Sequence, residues 1–557
     1  MKKTGLALAV ISALLLSALA GTLPFGTVQA ATNVTGILAS DTTWTKANSP
    51  YTLTGNVLVS NGVTLTIEPG AIVNLGNYYI MVNGTLRARG TAAENVEFNS
   101  GSITFTNKSA KWNETIGSGS IIEKANLSST NLSTLEAGPK IDSCSILGIT
   151  VGGSSTVTNN IIANLVTVSG SPSISYNTIG GQVSVGSDAN SPLISHNTIS
   201  ESVTVGYNAF SPMITDNNIM GSLTIDNQVT SALISHNSIS GGMTVSATSA
   251  TISFNNIVGG VLTSADQLLF LNNTLTGSSV GIDLTPKSPI GSINASIIDN
   301  TVTAGNVGIG IAGSMVVTFY GWYTDAYISG NIISGCSTAA IQVGGASAQG
   351  GHTPRYNNVT ILDNLLYGNG YGIQHGGIGR VDGNAIVRNN FGVKGGDPIV
   401  DNIIANNSIG VIGGSIIEGN LIVNNGLGLD GGVQIRNNTI INNTVAIRGG
   451  FSSANYNNIY GNGLNINFTS SADGNATYNW WGTTDVAVIN QTIYDYKNDF
   501  TLGRVNFIPL LPDMNSDAPS PETPVPVIPE FPSLTILPLL IGGTTLLALT
   551  CFKKRKR

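Results

Sequence analysis

One short signature, apolar-x-x-Asn-x-apolar, recurs along most of this chain and constrains its fold more than any other feature. It reads Ile174-Ser175-Tyr176-Asn177-Thr178-Ile179 at its clearest and returns around Asn197, Asn217, Asn237 and Asn255. It returns again around Asn273, Asn300, Asn331, Asn364, Asn384, Asn402, Asn420, Asn438 and Asn457, at a spacing of about 17–20 residues outside one irregular stretch. Between these points the apolar residues alternate, as in Val183-Ser184-Val185 and Val203-Thr204-Val205, which is the pattern of strands with one buried face. Too few residues separate the strands for a crossover helix, so each strand must stack on its own copy in the next coil.

Residues 384–450 give the clearest unit. An Asn-x-Ile is followed by an Asn pair (Asn389-Asn390, Asn406-Asn407, Asn424-Asn425, Asn442-Asn443), then Gly-apolar, then Gly-Gly. Three strands and three turns per coil account for this order. Asn and Gly both tolerate left-handed backbone, so each column is expected to mark a corner. Stacked Asn amides can also bond from coil to coil, which makes Asn177, Asn197, Asn217, Asn237, Asn255, Asn384, Asn402, Asn420 and Asn438 an expected structural ladder. The fold class is therefore all-β, a single-chain parallel β-helix of about 18–20 coils, whose connections should be right-handed.

The composition agrees. Charged residues make up 10% of the chain and Gly numbers 68, so there is little from which to build the polar face of amphipathic helices. Of 23 Lys and Arg, seven lie at the two ends, against 30 Asp and Glu; the body between is acidic by about 14 charges, which argues against a nucleic-acid partner. Cys144 and Cys336 stand about eleven coils apart, roughly 50 Å, and cannot bridge. Sequons at Asn113, Asn272, Asn358 and Asn475 fit a glycosylated surface protein.

The ends read as addresses. Met1-Lys2-Lys3, an apolar run from Leu6 to Ala20 and Val28-Gln29-Ala30 make residues 1–30 a secretory signal. The ectodomain is then 31–510, with a C-terminal cap at about 464–510 and a Pro-rich linker at 511–532. An apolar segment at 533–552 is long enough to span a bilayer, and the basic residues 553–557 should stay cytoplasmic. The expected location is the cell surface, membrane-anchored through this helix. Pro529-Glu530-Phe531-Pro532, the apolar run and the basic cluster resemble the PEF-type C-terminal sorting signals of archaeal surface proteins. That resemblance implies a retained anchor or removal of the tail by a sortase-like enzyme, and an archaeal source.

The repeat itself, over roughly residues 45–508, resembles the right-handed parallel β-helix repeat proteins. That broad group includes pectate-lyase-like enzymes and periplasmic accessory proteins of nitrous oxide reductase. Leu65-Thr66-Ile67-Glu68-Pro69-Gly70, Trp480-Trp481-Gly482, Gly503-Arg504-Val505 and Pro509 resemble the first coil and end segment of membrane-anchored members. Atypical end units of this kind hide a solenoid's terminal strands.

Three successive units are enlarged at the same corner, giving an expected loop lobe at about 283–380. Aromatic and charged residues concentrate there: Trp322, Tyr323, Asp325, His352, Arg355 and Tyr356, with Tyr371 and Gln374 in the unit that follows. Rings with a few polar groups suit glycan or envelope-protein binding, the rings stacking on sugar faces. The competing reading is a lobe packing its own aromatics.

Catalysis would need more. Asp363 and Asp382, and Asp325 near them, could form an acid/base pair with His375 or Arg380, while the carboxylate motifs of the family's galacturonases and the arginine motif of its pectate lyases are absent. No cofactor is expected; Ca²⁺ enters only if the chain is a polysaccharide lyase or hydrolase. His196 and His236 lie two coils apart with Asp216 between, too far for two ligands on one ion, so no metal site is expected. The leading expectation is a non-enzymatic stalk or adhesin-like surface protein. A polysaccharide-active enzyme is the alternative, and an accessory protein for an extracytoplasmic metalloenzyme a second.

Overall fold

The computed structural model describes residues 30–187, 189–287, 290–317, 320–349 and 356–526. The expected secretory signal up to residue 29, the apolar segment 533–552, the basic residues 553–557, His352 and Arg355 lie outside these residues. Among those described, no helix is long and apolar enough to cross a membrane.

The chain is an all-β parallel β-solenoid of the right-handed type, with about 21 turns where 18–20 were expected. The first coils carry no Asn signature and are wound from long strands such as Tyr51–Val59, Ile72–Val82 and Val96–Phe105. One short α-helix, Val486–Gln491, is present among the described residues, capped by the Asp485 carboxylate on the amides of Ala487 and Val488. The chain divides into two compact units, residues 1–233 and 234–557.

In the first unit a typical coil has three walls. A two-residue strand follows the ladder Asn (Thr178–Ile179), a second strand follows it (Val183–Val185), and a third (Leu193–Ser195) leads to the next Asn. Each pairs in parallel with its copy one coil on, so Ile174 lies on Ile194 and Ile194 on Ile214 without a register shift. These inward residues, with Ile179, Val183 and Val185, are almost fully buried. Alternation thus becomes columns of identical side chains, which pack without mismatched volumes.

The second unit repeats this scheme and adds three enlarged coils. The extra residues are strands more than loops. Ile290–Ile298 pairs in parallel along its whole length with Tyr320–Ser329, which pairs onward with Asn358–Leu362. Ser314–Val317 folds back antiparallel on Tyr320–Ser329 and lies parallel to Ala346–Gln349. The lobe is an outgrowth of the third wall.

The Asn ladder is explicit in both units. Asn402 shows its chemistry: its Oδ1 accepts from the backbone N and the Nδ2 of Asn384, at 2.9 and 3.0 Å. Its own Nδ2 donates to Val400 O, to Val381 O one coil back and to Asn420 Oδ1 one coil forward, at 2.7–3.0 Å. The same bonds run through Asn160, Asn177, Asn197 and Asn217 in the first unit. They run from Asn237 to Asn479 in the second. A second ladder, Asn369, Asn389, Asn407, Asn425, Asn443 and Asn462, follows at the next corner.

The corners work differently from the expectation that the ladder Asn itself is left-handed. The positive φ belongs to the residue before it: Tyr176 (59°), His196 (56°), Asp363 (53°), Asp401 (55°). The ladder Asn is chosen for its amide, which reaches three carbonyl or amide oxygens inside the bend.

The stretch read as a linker lies, over its described part, against the second unit. Asn515 exchanges two bonds with the Asn458 side chain, donating through its N–H (2.8 Å) and accepting at its carbonyl (3.1 Å). Its amide also donates to Asn437 and to the Tyr456 carbonyl. The Thr439 hydroxyl donates to Pro519 O at 2.6 Å, and Val525 packs on a cluster of Ala405, Leu421, Val423 and Ile441.

Candidate functional site

The second wall of the second unit carries a groove of about 470 Å³. Successive coils present Gln342, Gln374 and Lys394 at one outward position, paired in register. Gln342 Nε2 donates to Gln374 Oε1 at 2.9 Å, which leaves the outer amide groups of the pair for a ligand. The floor is glycine: Gly313, Gly344, Gly345 and Gly376 line the groove with His375 and Lys394. A Cβ on Gly344 would stand 2.4 Å from the Gly313 nitrogen, so only glycine lets these coils approach.

Rings flank the groove. Tyr371 stacks on Phe391 with centroids 4.6 Å apart and an interplanar angle of 17°. Lys394 Nζ sits 5.9 Å from the centre of the Tyr371 ring, within cation–π range. Trp322 reaches in from the lobe, its indole N–H donating to the carbonyl of Gly313 at 3.1 Å. Among the described residues that line it, none is a carboxylate.

His375 is 6% exposed and committed to the backbone. Its Nδ1 accepts from the Gly377 N–H and its Nε2 faces Val359 O, both at 3.2 Å. This fixes the neutral tautomer with hydrogen on Nε2, so neither ring nitrogen is left for proton transfer. Burial holds the ring below the ordinary histidine range. The folded state therefore resists protonation, and His375 contributes stability that is present above about pH 6.5 and lost as pH falls below it. Denaturant melts at pH 8 and pH 5 should show a larger acid loss in the native chain than in His375→Asn. Equal losses would remove His375 from the pH response.

The remaining candidates do not join this groove. Asp325 lies in register with Asn294 and Asn358 on the third wall, with Tyr323 opposite Ser292. Tyr356 is exposed. Asp363 sits at a left-handed corner with its carboxylate over Gly383, where a Cβ would stand 2.3 Å from Oδ1, so this side chain covers the next bend. Arg380 Nε pairs with Asp382 Oδ2 at 2.7 Å on the third wall. Burial first, and the Asp382 carboxylate second, raise Asp401 above the usual carboxylate range. Arg380 and Asp382 neutralise one another along the wall, and none of these groups lines the groove with His375.

The other candidates for chemistry are also accounted for. His196 stacks on Tyr176 (4.7 Å) and His236 on Phe254 (5.0 Å), each as the next ring in a corner column. Among the described residues no group of three or more His, Cys, Asp or Glu is placed to hold a metal ion. Burial pushes the Cys144 thiol up to about 12 and the Cys336 thiol up to about 11, so neither is a thiolate at neutral pH. Asp430 and Arg448 form a two-pronged pair at 2.6 and 3.0 Å between coils.

Gln342 and Lys394 were missed in the sequence. Their signal was positional: Ile341-Gln342-Val343, Ile373-Gln374-His375 and Val393-Lys394-Gly395 align as successive coils. A comparison with protein-family models finds none that matches, and a comparison with curated proteins finds none either.

Proposed function

We propose that this chain is a non-enzymatic cell-surface display protein that binds glycans through the groove on the second wall of its second unit. The observation that carries the reading is the lining itself: a hydrogen-bonded pair of amides, one lysine within cation–π range of Tyr371 and a glycine floor, with no carboxylate among its described residues. Amides both donate to and accept from hydroxyls, and Lys394 suits a carboxylate or similar anionic substituent on the sugar. Cleavage would call for a carboxylate or free base at the groove, and His375 is engaged on both ring nitrogens. The secretory signal, the apolar C-terminal segment and the PEF-like motif support an exported, membrane-anchored protein of archaeal type. The repeat and its end segments support kinship with the right-handed β-helix repeat proteins.

A glycan array probed with the purified chain tests this. Binding to at least one acidic glycan class is expected, with Gln374→Ala and Lys394→Ala each weakening it about tenfold, or about 1.4 kcal/mol. Asp363→Ala should leave it unchanged. Release of reducing or unsaturated sugar from acidic polysaccharides, abolished by Asp382→Asn, would instead establish the lyase or hydrolase reading.

A further inference from the structure

The first wall of the second unit changes character part-way along. Its outward residues are polar in the early coils: Ser238, Asn256, Thr274 and Thr301 pair in sequence down one column. From Thr301 the column continues as Ile332, Leu365, Ala385, Ile403 and Leu421, then turns polar again at Thr439 and Asn458. The adjacent outward column is Ser334 beside Ile332 and then runs apolar one coil later, as Tyr367, Val387, Ala405, Val423 and Ile441. An apolar stripe about five coils long is thus written onto a wall that is otherwise hydroxyl and amide.

The C-terminal segment already covers one end of it. Asn515 lies on Asn458, Pro519 on Thr439, and Val525 on the cluster of Ala405, Leu421, Val423 and Ile441, against which Ile403 also packs. The segment therefore travels back along the solenoid, from polar coils onto the stripe. At the far end Ile332 is 40% exposed and Leu365, Tyr367 and Ala385 are half-buried. From Val525 this remainder spans three coils, about 14 Å at the stacking distance of parallel strands. From Val525 the chain continues as Pro526-Val527-Ile528-Pro529-Glu530-Phe531, and six residues at about 3.1 Å each reach about 19 Å.

We propose that the exposed end of this stripe, Ile332, Leu365, Tyr367 and Ala385, is the seat of the chain's own Val527–Phe531. The occupant is set by continuity with the segment already in place, by its direction and by its length.

The test uses the full-length chain with Cys551→Ser, since the thiols of Cys144 and Cys336 are buried. Under mild oxidation, Leu365→Cys with Phe531→Cys should cross-link within one chain at least tenfold more than Ser238→Cys with Phe531→Cys. Equal yields would overturn the proposal, and cross-links between chains would assign the stripe to a second copy. Hydrogen exchange guards against a misfolded variant. In Val527→Asp/Phe531→Asp, exchange at residues 365–367 should quicken while 434–441 stays as in the native chain. Unchanged exchange at 365–367 would overturn the assignment.

Discussion

Asn402→Ala is expected to destabilise the second unit by on the order of 4 kcal/mol. Asn402 is 1% exposed and lies in the ladder between Asn384 and Asn420. Truncation removes the acceptor of the Asn384 N–H and the donors to Val381 O and Val400 O, all inside a bend where water cannot replace them. A buried group left without its partner costs about 1–3 kcal/mol, and three lose one here. Solenoid stability is close to a sum over neighbouring coils, so the loss should be local. Urea unfolding should register the destabilisation, and hydrogen exchange should quicken first between about residues 381 and 420. A change below about 1 kcal/mol would mean that the ladder is not what holds the corner.

Asn402→Asp changes one NH₂ to oxygen and is expected to cost more, on the order of 5 kcal/mol at neutral pH. One carboxylate oxygen keeps the two Asn384 donors. The other faces Val381 O, Val400 O and Asn420 Oδ1, all acceptors. Burial and these oxygens favour the protonated acid, so the folded-state pKa must rise above the unfolded value of about 3.9. A raised carboxyl pKa means that the native state binds the proton more tightly, and stability falls as pH climbs from there through the raised value. The variant should regain part of its loss at pH 4 relative to the alanine variant. Parallel pH profiles for the two would show that the corner has opened to solvent.

The solenoid was legible because two periods coexist in the sequence. Alternation in Val183-Ser184-Val185 gives the strand, and the return of Asn about 18 residues later gives the coil. The first coils were less legible, since strands such as Ile72–Val82 run through two walls and bend at Gly76, which a Gly-poor pattern search passes over. The enlarged corner was visible as extra length, but Gly and Ser in Ile290-Gly291-Ser292 hid the strand there. Tyr371 and Gln374 stood out as chemical types. Gln342 and Lys394 did not, because their meaning depends on which residue of the next coil lies beside them. The packing of residues 511–526 was hidden by composition, since Pro, Ser and Glu in sequence say nothing of the matching stripe at Ala405 and Val423.

The backward course of that segment has a mechanical consequence. Val525 lies on the cluster of Ala405, Leu421, Val423 and Ile441, not at the last coil, so tension applied at Pro526 does not load the coils at once. It must first peel Val525 from its apolar seat, then break Pro519 from Thr439, then open the Asn515 fork, each contact bearing the load alone. The twelve residues from Asn515 to Pro526 then pay out roughly 40 Å of slack at full extension. Only after that does force reach the bond from the Leu511 N–H to Asn479 O at the end of the ladder. A segment laid in this way yields in small, re-formable steps under a pull that would otherwise shear the coils apart.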